Sequence, residues 1–197
     1  MRLFNMIASP RRTLWQLQSY MRIRGDVYSE ACRSLADKEA LQRKWEWLAF
    51  LSAAQSLAPA RVLEIGTYRG GNLRLLAKVC PPNMHYISLD LPSGRFGGGY
   101  SEDDAVAFRQ RMQPTQKLDC LRMDSHSSQA HKAVKDLLGD SPVDLLFIDG
   151  DHSRTGVADD FFDYGPFVRE GGLIAFHDIV PHAVRANAYF IPEFPVL

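Results

Sequence analysis

The sequence predicts an α/β fold: a parallel sheet with helices on both faces, preceded by a helical N-terminal extension. Three observations predict it. Beyond Pro59, short apolar runs alternate with helix-length polar segments, the pattern of repeated strand–helix–strand units. Before Pro59, apolar residues recur at helical spacing. Four of the five apolar runs also end at, or within two residues of, an aspartate, where a parallel sheet of this kind binds its ligands.

The elements follow in order. The first 60 residues read as helical, with Leu41, Trp45 and Leu48 at i, i+4 and i+7 on one apolar face and Pro59 as the stop. Residues 1 to 25 carry Arg2, Arg11, Arg12, Arg22 and Arg24 and no acidic residue. They read as a solvated basic helix, or as a surface that docks on a partner or on anionic lipid. The short apolar stretch there is broken by Asn5, which speaks against a signal peptide. The predicted strands are RVLEI (61–65), HYISL (85–89), LDCLR (118–122), VDLLFI (143–148) and GLIAFH (172–177). Helices are expected near 70–79, 101–113, 128–138 and 155–168, the last with a packing stripe of Val157, Phe161, Tyr164 and Val168. Ser101 with Asp104 marks the start of the second of these as a capping box. The loop before it holds Gly94, Gly97, Gly98 and Gly99 and reads as a lid over a substrate or as a plain connection. In the lid reading, Arg95, Phe96 and Tyr100 face the substrate. The expected division is a helical extension over 1–58 and a ligand-binding domain over 59–197.

Composition narrows the function. Lys plus Arg and Asp plus Glu both number 23, so no global field draws the chain to nucleic acid or a membrane. Cys32, Cys80 and Cys120 are odd in number and widely spaced. They form neither a disulfide framework nor a paired-cysteine metal site, which favours a reducing cytoplasm. No apolar segment is long enough to span a bilayer.

The residues after the runs carry the chemistry: Gly66 after the first, then Asp90, Asp124, Asp149 and Asp178. The first turn reads Glu64-Ile65-Gly66-Thr67-Tyr68-Arg69-Gly70-Gly71. A dinucleotide turn needs GxGxxG so that its backbone can touch a pyrophosphate. This one reads ExGxxxG and lacks the middle glycine, which disfavours a nucleotide-linked oxidoreductase.

Taken in order, VLEIGTYRGG, the Asp90 that ends YISLD, MDSH at 123–126, DLLFIDGDHS and GGLIAFHDI resemble the class I S-adenosylmethionine (SAM) methyltransferases. The last two segments resemble most the branch with cephalosporin-hydroxylase-like and macrolide or sugar O-methyltransferases. The resemblance covers about residues 60 to 180 and implies a Rossmann-like class I methyltransferase fold. It implies that Glu64, Gly66, Thr67 and Gly70 line the methionine end of SAM, that Asp90 holds the ribose hydroxyls, and that Asp124 and Ser125 sit near the adenine. The competing reading of Asp124 is an N-cap for the helix near Ser128. Asp149 is expected to contact cofactor as well.

Methyl transfer to a hydroxyl needs the oxygen positioned and its proton removed, by a divalent cation or by a base. The resemblance makes Asp149 and Asp178, at the ends of adjacent strands, candidate ligands for Mg²⁺ or another divalent cation. The position beside Asp178, usually another oxygen ligand, is His177, which suits a softer ion or none. Asp151 matches the proposed base of the sugar-type relatives, and His152 is the alternative. The acceptor is expected to be a small-molecule hydroxyl on a sugar or natural product.

Class I methyltransferases normally finish with a further helix and an antiparallel strand pair. After Ile179 only 18 residues remain, interrupted by Pro181, Pro192 and Pro195, so that pair is expected to be missing. The fifth strand then needs cover from a partner, a second copy included, or from the N-terminal helices. The short end and the basic N-terminus also motivate the competing class, a non-catalytic SAM-fold module that binds a partner.

Overall fold

The computed structural model describes residue 23 and residues 25–92 and 99–178. Arg2, Arg11, Arg12, Arg22 and Arg24, the loop residues Gly94, Arg95, Phe96, Gly97 and Gly98, and the stretch from Ile179 onward with Pro181, His182, Pro192 and Pro195 lie outside the described residues. Two helices come first, α1 (Gly25–Ala36) and α2 (Lys44–Leu57). They are followed by β1 (Arg61–Ile65), α3 (Gly71–Val79), β2 (His85–Asp90), α4 (Glu102–Arg111), β3 (Lys117–Arg122), α5 (Ser128–Leu138), β4 (Val143–Ile148), α6 (Arg154–Tyr164) and β5 (Val168–Phe176). The strands form one sheet in the order β3-β2-β1-β4-β5, and every pairing is parallel. The order in which strands are added reverses between β1 and β4, which opens the crevice used by doubly wound folds.

Successive strand residues point to opposite faces, and the central strands bury both. Val62, Tyr86 and Leu145 pack into one core with α1, α2, α3 and α4. Leu63, Ile65, Ile87, Leu89, Leu146 and Ile148 pack into the other with α5 and α6. The described N-terminal helices are thus part of one covering layer: Trp47, Leu48 and Leu51 lie in the same core as Leu73 and Leu76. The capping box of α4 forms as expected, with Ser101 Oγ accepting from Asp104 N and Asp104 Oδ2 from Ser101 N.

Three local expectations need correction. Leu41 precedes α2 and is exposed, and Trp45 lies on its outer side; the buried face is Trp47, Leu48, Leu51 and Ala54. Val168 does not continue the stripe of α6 but opens β5, because Gly165-Pro166-Phe167 forms a 3₁₀ turn and Pro166 has no N–H with which to extend the helix. Tyr100 does not face a substrate: it is buried edge-on to Phe108, its hydroxyl against Ser88.

Trp47 is almost fully buried between the N-terminal helices and α3, and its Nε1 donates to Asn72 Oδ1 at 3.0 Å. Trp47→Ala is expected to cost about 3–5 kcal/mol by cavity formation. Because both helices share the sheet's core, urea unfolding monitored by fluorescence and by far-ultraviolet circular dichroism should stay a single transition at a lower midpoint. An N-terminal phase separate from the sheet's would contradict the shared layer.

Candidate active site at the carboxyl edge of the sheet

The sheet's register builds the site. Ile65 is opposite Leu89 and Ile148, and Ile148 is opposite Phe176. The ladder continues one residue past the strands: Gly66 N donates to Leu89 O, Asp149 N to Ile65 O and His177 N to Ile148 O. Asp90, Gly66, Asp149 and His177 therefore form one row across the edge. Asp149 meets His177, while Asp178 lies a step further along, in a left-handed conformation at φ 54°.

The glycine-rich turn is held from below. Gly66 has φ +86°, and a Cβ there would run into the carbonyl of Asp149. Gly70, with φ +73°, lies against the Phe108 ring, and its N–H closes the turn on Thr67 O. Thr67 is buried with its hydroxyl 2.7 Å from that of Ser88. Glu64 is 1% exposed, with Tyr86 Oη donating to Oε2 and Asn72 Nδ2 to Oε1. Burial pushes its carboxyl up to about 7 against these donors. Each oxygen meets a protein donor, and the side chain is buried, so Glu64 braces the turn from within.

Asp90 ends β2 at the crevice. Tyr68 N donates to Oδ2 at 2.7 Å and Leu91 N to Oδ1 at 2.8 Å. The backbone N–H groups of Thr67 and Gly99 also bear on this carboxylate. Burial raises its pKa despite these backbone donors. Asp124 is exposed and accepts from His126 N. The N-cap of α5 is Ser127 instead, whose hydroxyl accepts from Ala130 N. Ser125 is held by its carbonyl, which accepts from Tyr164 Oη.

At the β4–β5 end, three groups converge. His152 Nε2 lies 3.2 Å and His177 Nδ1 2.9 Å from Asp149 Oδ1. Gln42 Nε2, from the connection between α1 and α2, donates to Asp149 Oδ2 at 2.9 Å. Despite its closeness to Asp149, the buried His177 Nδ1 makes no hydrogen bond, and neither does the buried Gln42 Oε1. Burial pushes the Asp149 carboxyl up, but the two imidazoles outweigh it and hold the group below its ordinary value. The hydrogen bond to Asp149 raises the pKa of His152 against the effect of burial. Burial lowers that of His177, but Asp149 brings it above the ordinary histidine value. Among the described residues, the metal-ligating atoms that all lie within 4.8 Å of one another belong to Asp149, His152 and His177. Asp178 stands outside that trio, 3.4 Å from His177 Nδ1. Asp151 turns away: its Oδ1 accepts from Ser153 N, and its carboxylate lies over Gly156 in the first turn of α6.

Two site residues carry little sequence signal. Gln42 is 107 positions from Asp149, and nothing around it marks it. Asp160 falls among the helical positions of α6, yet it is fully buried, and neither oxygen makes a hydrogen bond. Its Oδ1 is 3.3 Å from His126 Nε2, beneath the loop that carries Asp124 and Ser125.

Comparison with known proteins fits this geometry. The family model described as a methyltransferase domain matches residues 63–179, and the chain belongs to that family. None of the curated proteins matches the sequence. The O-methyltransferase of Streptomyces achromogenes involved in tomaymycin synthesis, solved with SAM, is 16% identical; the alignment covers 83% of this chain and 70% of that one, with a TM-score of 0.55. The Bacillus cereus O-methyltransferase solved with SAH is 17% identical over 85% of this chain and 73% of that one, at a TM-score of 0.53. A methyltransferase of the mycinamycin biosynthetic pathway, solved with Mg and SAH, is 19% identical over 80% of this chain and 38% of that one, at 0.54. These likenesses establish the Rossmann-like class I methyltransferase fold.

Burial raises the Asp160 carboxyl to about 6, only partly opposed by Ser125 and His126. A folded pKa above the unfolded one means that stability is fully present below about pH 4 and is lost as pH rises through about 6. Asp160→Asn, which cannot ionise, should therefore gain about 1–3 kcal/mol over the parent at pH 8 and little at pH 4. Urea midpoints at the two pH values measure this, and an equal effect at both would refute the assignment.

Proposed function

We propose that the protein is a SAM-dependent O-methyltransferase acting on a hydroxyl of a small molecule such as a sugar or natural product. The observation that carries this reading is the contact of two halves of one site. The Gly66 turn, where the cofactor's methionine end is expected, touches the backbone of Asp149, whose side chain gathers two imidazoles. The O-methyltransferases among the structural relatives, one from a natural-product pathway, support the acceptor class.

Bound SAM supplies the methyl group and a sulfonium leaving group. The chain's residues do the rest. Asp90, fixed by the N–H groups of Tyr68 and Leu91, presents its carboxylate to the ribose hydroxyls. The loop of Asp124 and Ser125 flanks the adenine. Gly66, Thr67 and Gly70 let the turn approach the methionine end. At the β4–β5 end the acceptor hydroxyl lies beside His152. Asp149 accepts from His152 Nε2–H and orients the ring, which leaves Nδ1 to take the hydroxyl proton as the oxygen attacks. His152 fits this role better than Asp151, whose carboxylate is spent on the start of α6.

The Mg of the mycinamycin relative does not carry over simply. Mg²⁺ prefers oxygen ligands and near-ideal octahedral geometry. Here one carboxylate stands between two imidazoles, and two of the three converging donors are nitrogens. That donor set does not fit Mg²⁺, and the step above does not use it.

Calorimetry tests the cofactor. SAM should bind and NAD should not, and Asp90→Ala should weaken SAM about 10–100-fold, the worth of charge-assisted hydrogen bonds. If SAM fails to bind at millimolar concentration, the enzyme reading is lost. Once an acceptor is found, His152→Ala should lower kcat by about 10²–10⁴ with SAM affinity retained. An unchanged kcat would move the base elsewhere.

A further inference from the structure

We infer that Asp149, His152 and His177 form a binding site for one divalent transition-metal ion of the borderline class, such as Zn²⁺, Co²⁺ or Fe²⁺, and that this site discriminates against Mg²⁺. The inference rests on the reading of this edge as the reacting centre, but its test does not need methyl transfer.

Three features carry it. The first is spacing. Around an ion with metal–ligand bonds of about 2.0–2.2 Å, tetrahedral geometry sets neighbouring ligand atoms about 3.3–3.6 Å apart. Asp149 Oδ1 is 3.2 Å from His152 Nε2 and 2.9 Å from His177 Nδ1, and all three donors lie within 4.8 Å of one another. Small side-chain shifts would admit an ion without moving the backbone. The second is an unmet demand. His177 Nδ1 is buried 2.9 Å from Asp149 Oδ1 but makes no well-aligned hydrogen bond, a demand that a metal ion between them would meet better. The third is support behind the donors. Gln42 Nε2 fixes the other carboxylate oxygen of Asp149, the kind of outer contact that orients a ligand, and Asp178 lies 3.4 Å from His177.

Chemistry then chooses the ion. Two imidazoles and one carboxylate suit zinc, iron and their neighbours, whereas Mg²⁺ takes oxygen. Three protein ligands leave a coordination position for water or for an acceptor oxygen, the arrangement of a reactive rather than a closed structural site. An ion on His152 Nε2 leaves the proton on Nδ1, so the ion-loaded protein cannot use His152 as its base. Ion and base are two separate states of one site.

Cobalt is the probe. Tag-free full-length protein, stripped with a chelator, is titrated with Co²⁺ and followed by visible absorption, with calorimetry for stoichiometry. One Co²⁺ per chain is expected, with a ligand-field band that Zn²⁺ abolishes at equimolar concentration and Mg²⁺ leaves unchanged at millimolar concentration. His152→Ala and His177→Ala should each weaken Co²⁺ by more than about 100-fold, beyond what loss of a supporting contact costs. Circular dichroism and SAM calorimetry on the same samples show whether the variants remain folded. His152 is half-exposed, so its variant provides the test if His177→Ala does not fold. Absence of the band, displacement of Co²⁺ by equimolar Mg²⁺, or undiminished Co²⁺ binding by folded His152→Ala would overturn the assignment. Failure of the unaltered protein to bind Co²⁺, with its SAM binding intact, would overturn the metal site and leave the methyltransferase reading standing.

Discussion

The rest of the site depends on the backbone contact between Gly66 and Asp149. β1 and β4 are neighbours, and the ladder runs one bond past their ends, through Asp149 N and Ile65 O. That bond brings the β4 end directly beneath the turn that follows β1. The approach leaves no room for a side chain at Gly66 and demands a positive φ, which glycine adopts at little cost. A cofactor seated on the turn and an acceptor seated by Asp149 are thereby held on adjacent supports. In-line transfer has little tolerance for misplacement, so a rigid backbone contact is a suitable way to fix the distance.

A buried polar chain stands behind this contact. Trp47 donates to Asn72, Asn72 to Glu64, and Tyr86 to the other oxygen of Glu64. It links an N-terminal helix, the first turn of α3 and two central strands. Leaving any member unpaired in the core would cost more than the bond itself contributes, so the chain acts as a lock on relative position. The connection between α1 and α2 adds a second link, since Gln42 reaches Asp149. The N-terminal helices thus bear on the reacting edge as well as covering the sheet.

Much of the fold was legible because its signals are local. Apolar runs, glycine turns and the Ser101–Asp104 box act over a few residues, and the predicted strands fall on the observed ones to within a residue at each end, except that β5 starts four residues early at Val168. The errors arose where local spacing met a competing feature: Leu41 fits a helical stripe but lies before the helix begins, and Pro166 ends the stripe that Val168 would have continued. The site was legible only in outline. A row of acidic strand ends can be read from sequence, but which pairs meet depends on register, and register set His177, not Asp178, opposite Asp149. The turning of Asp151 onto Gly156 depends on helix-start geometry that a residue pattern does not encode.

The sequence by itself determined the layer architecture, the parallel sheet and the edge on which chemistry falls, because hydrophobic periodicity and strand-end residues are written along the chain. Tertiary structure alone decided the contents of the site. It joined Gln42 to Asp149 across 107 positions, buried Glu64 and Asp160, and left His177 Nδ1 without a hydrogen bond. The reason is physical: burial and close approach arise when distant segments exclude water from one another. The same five side chains spread along an extended chain would be solvated and unremarked.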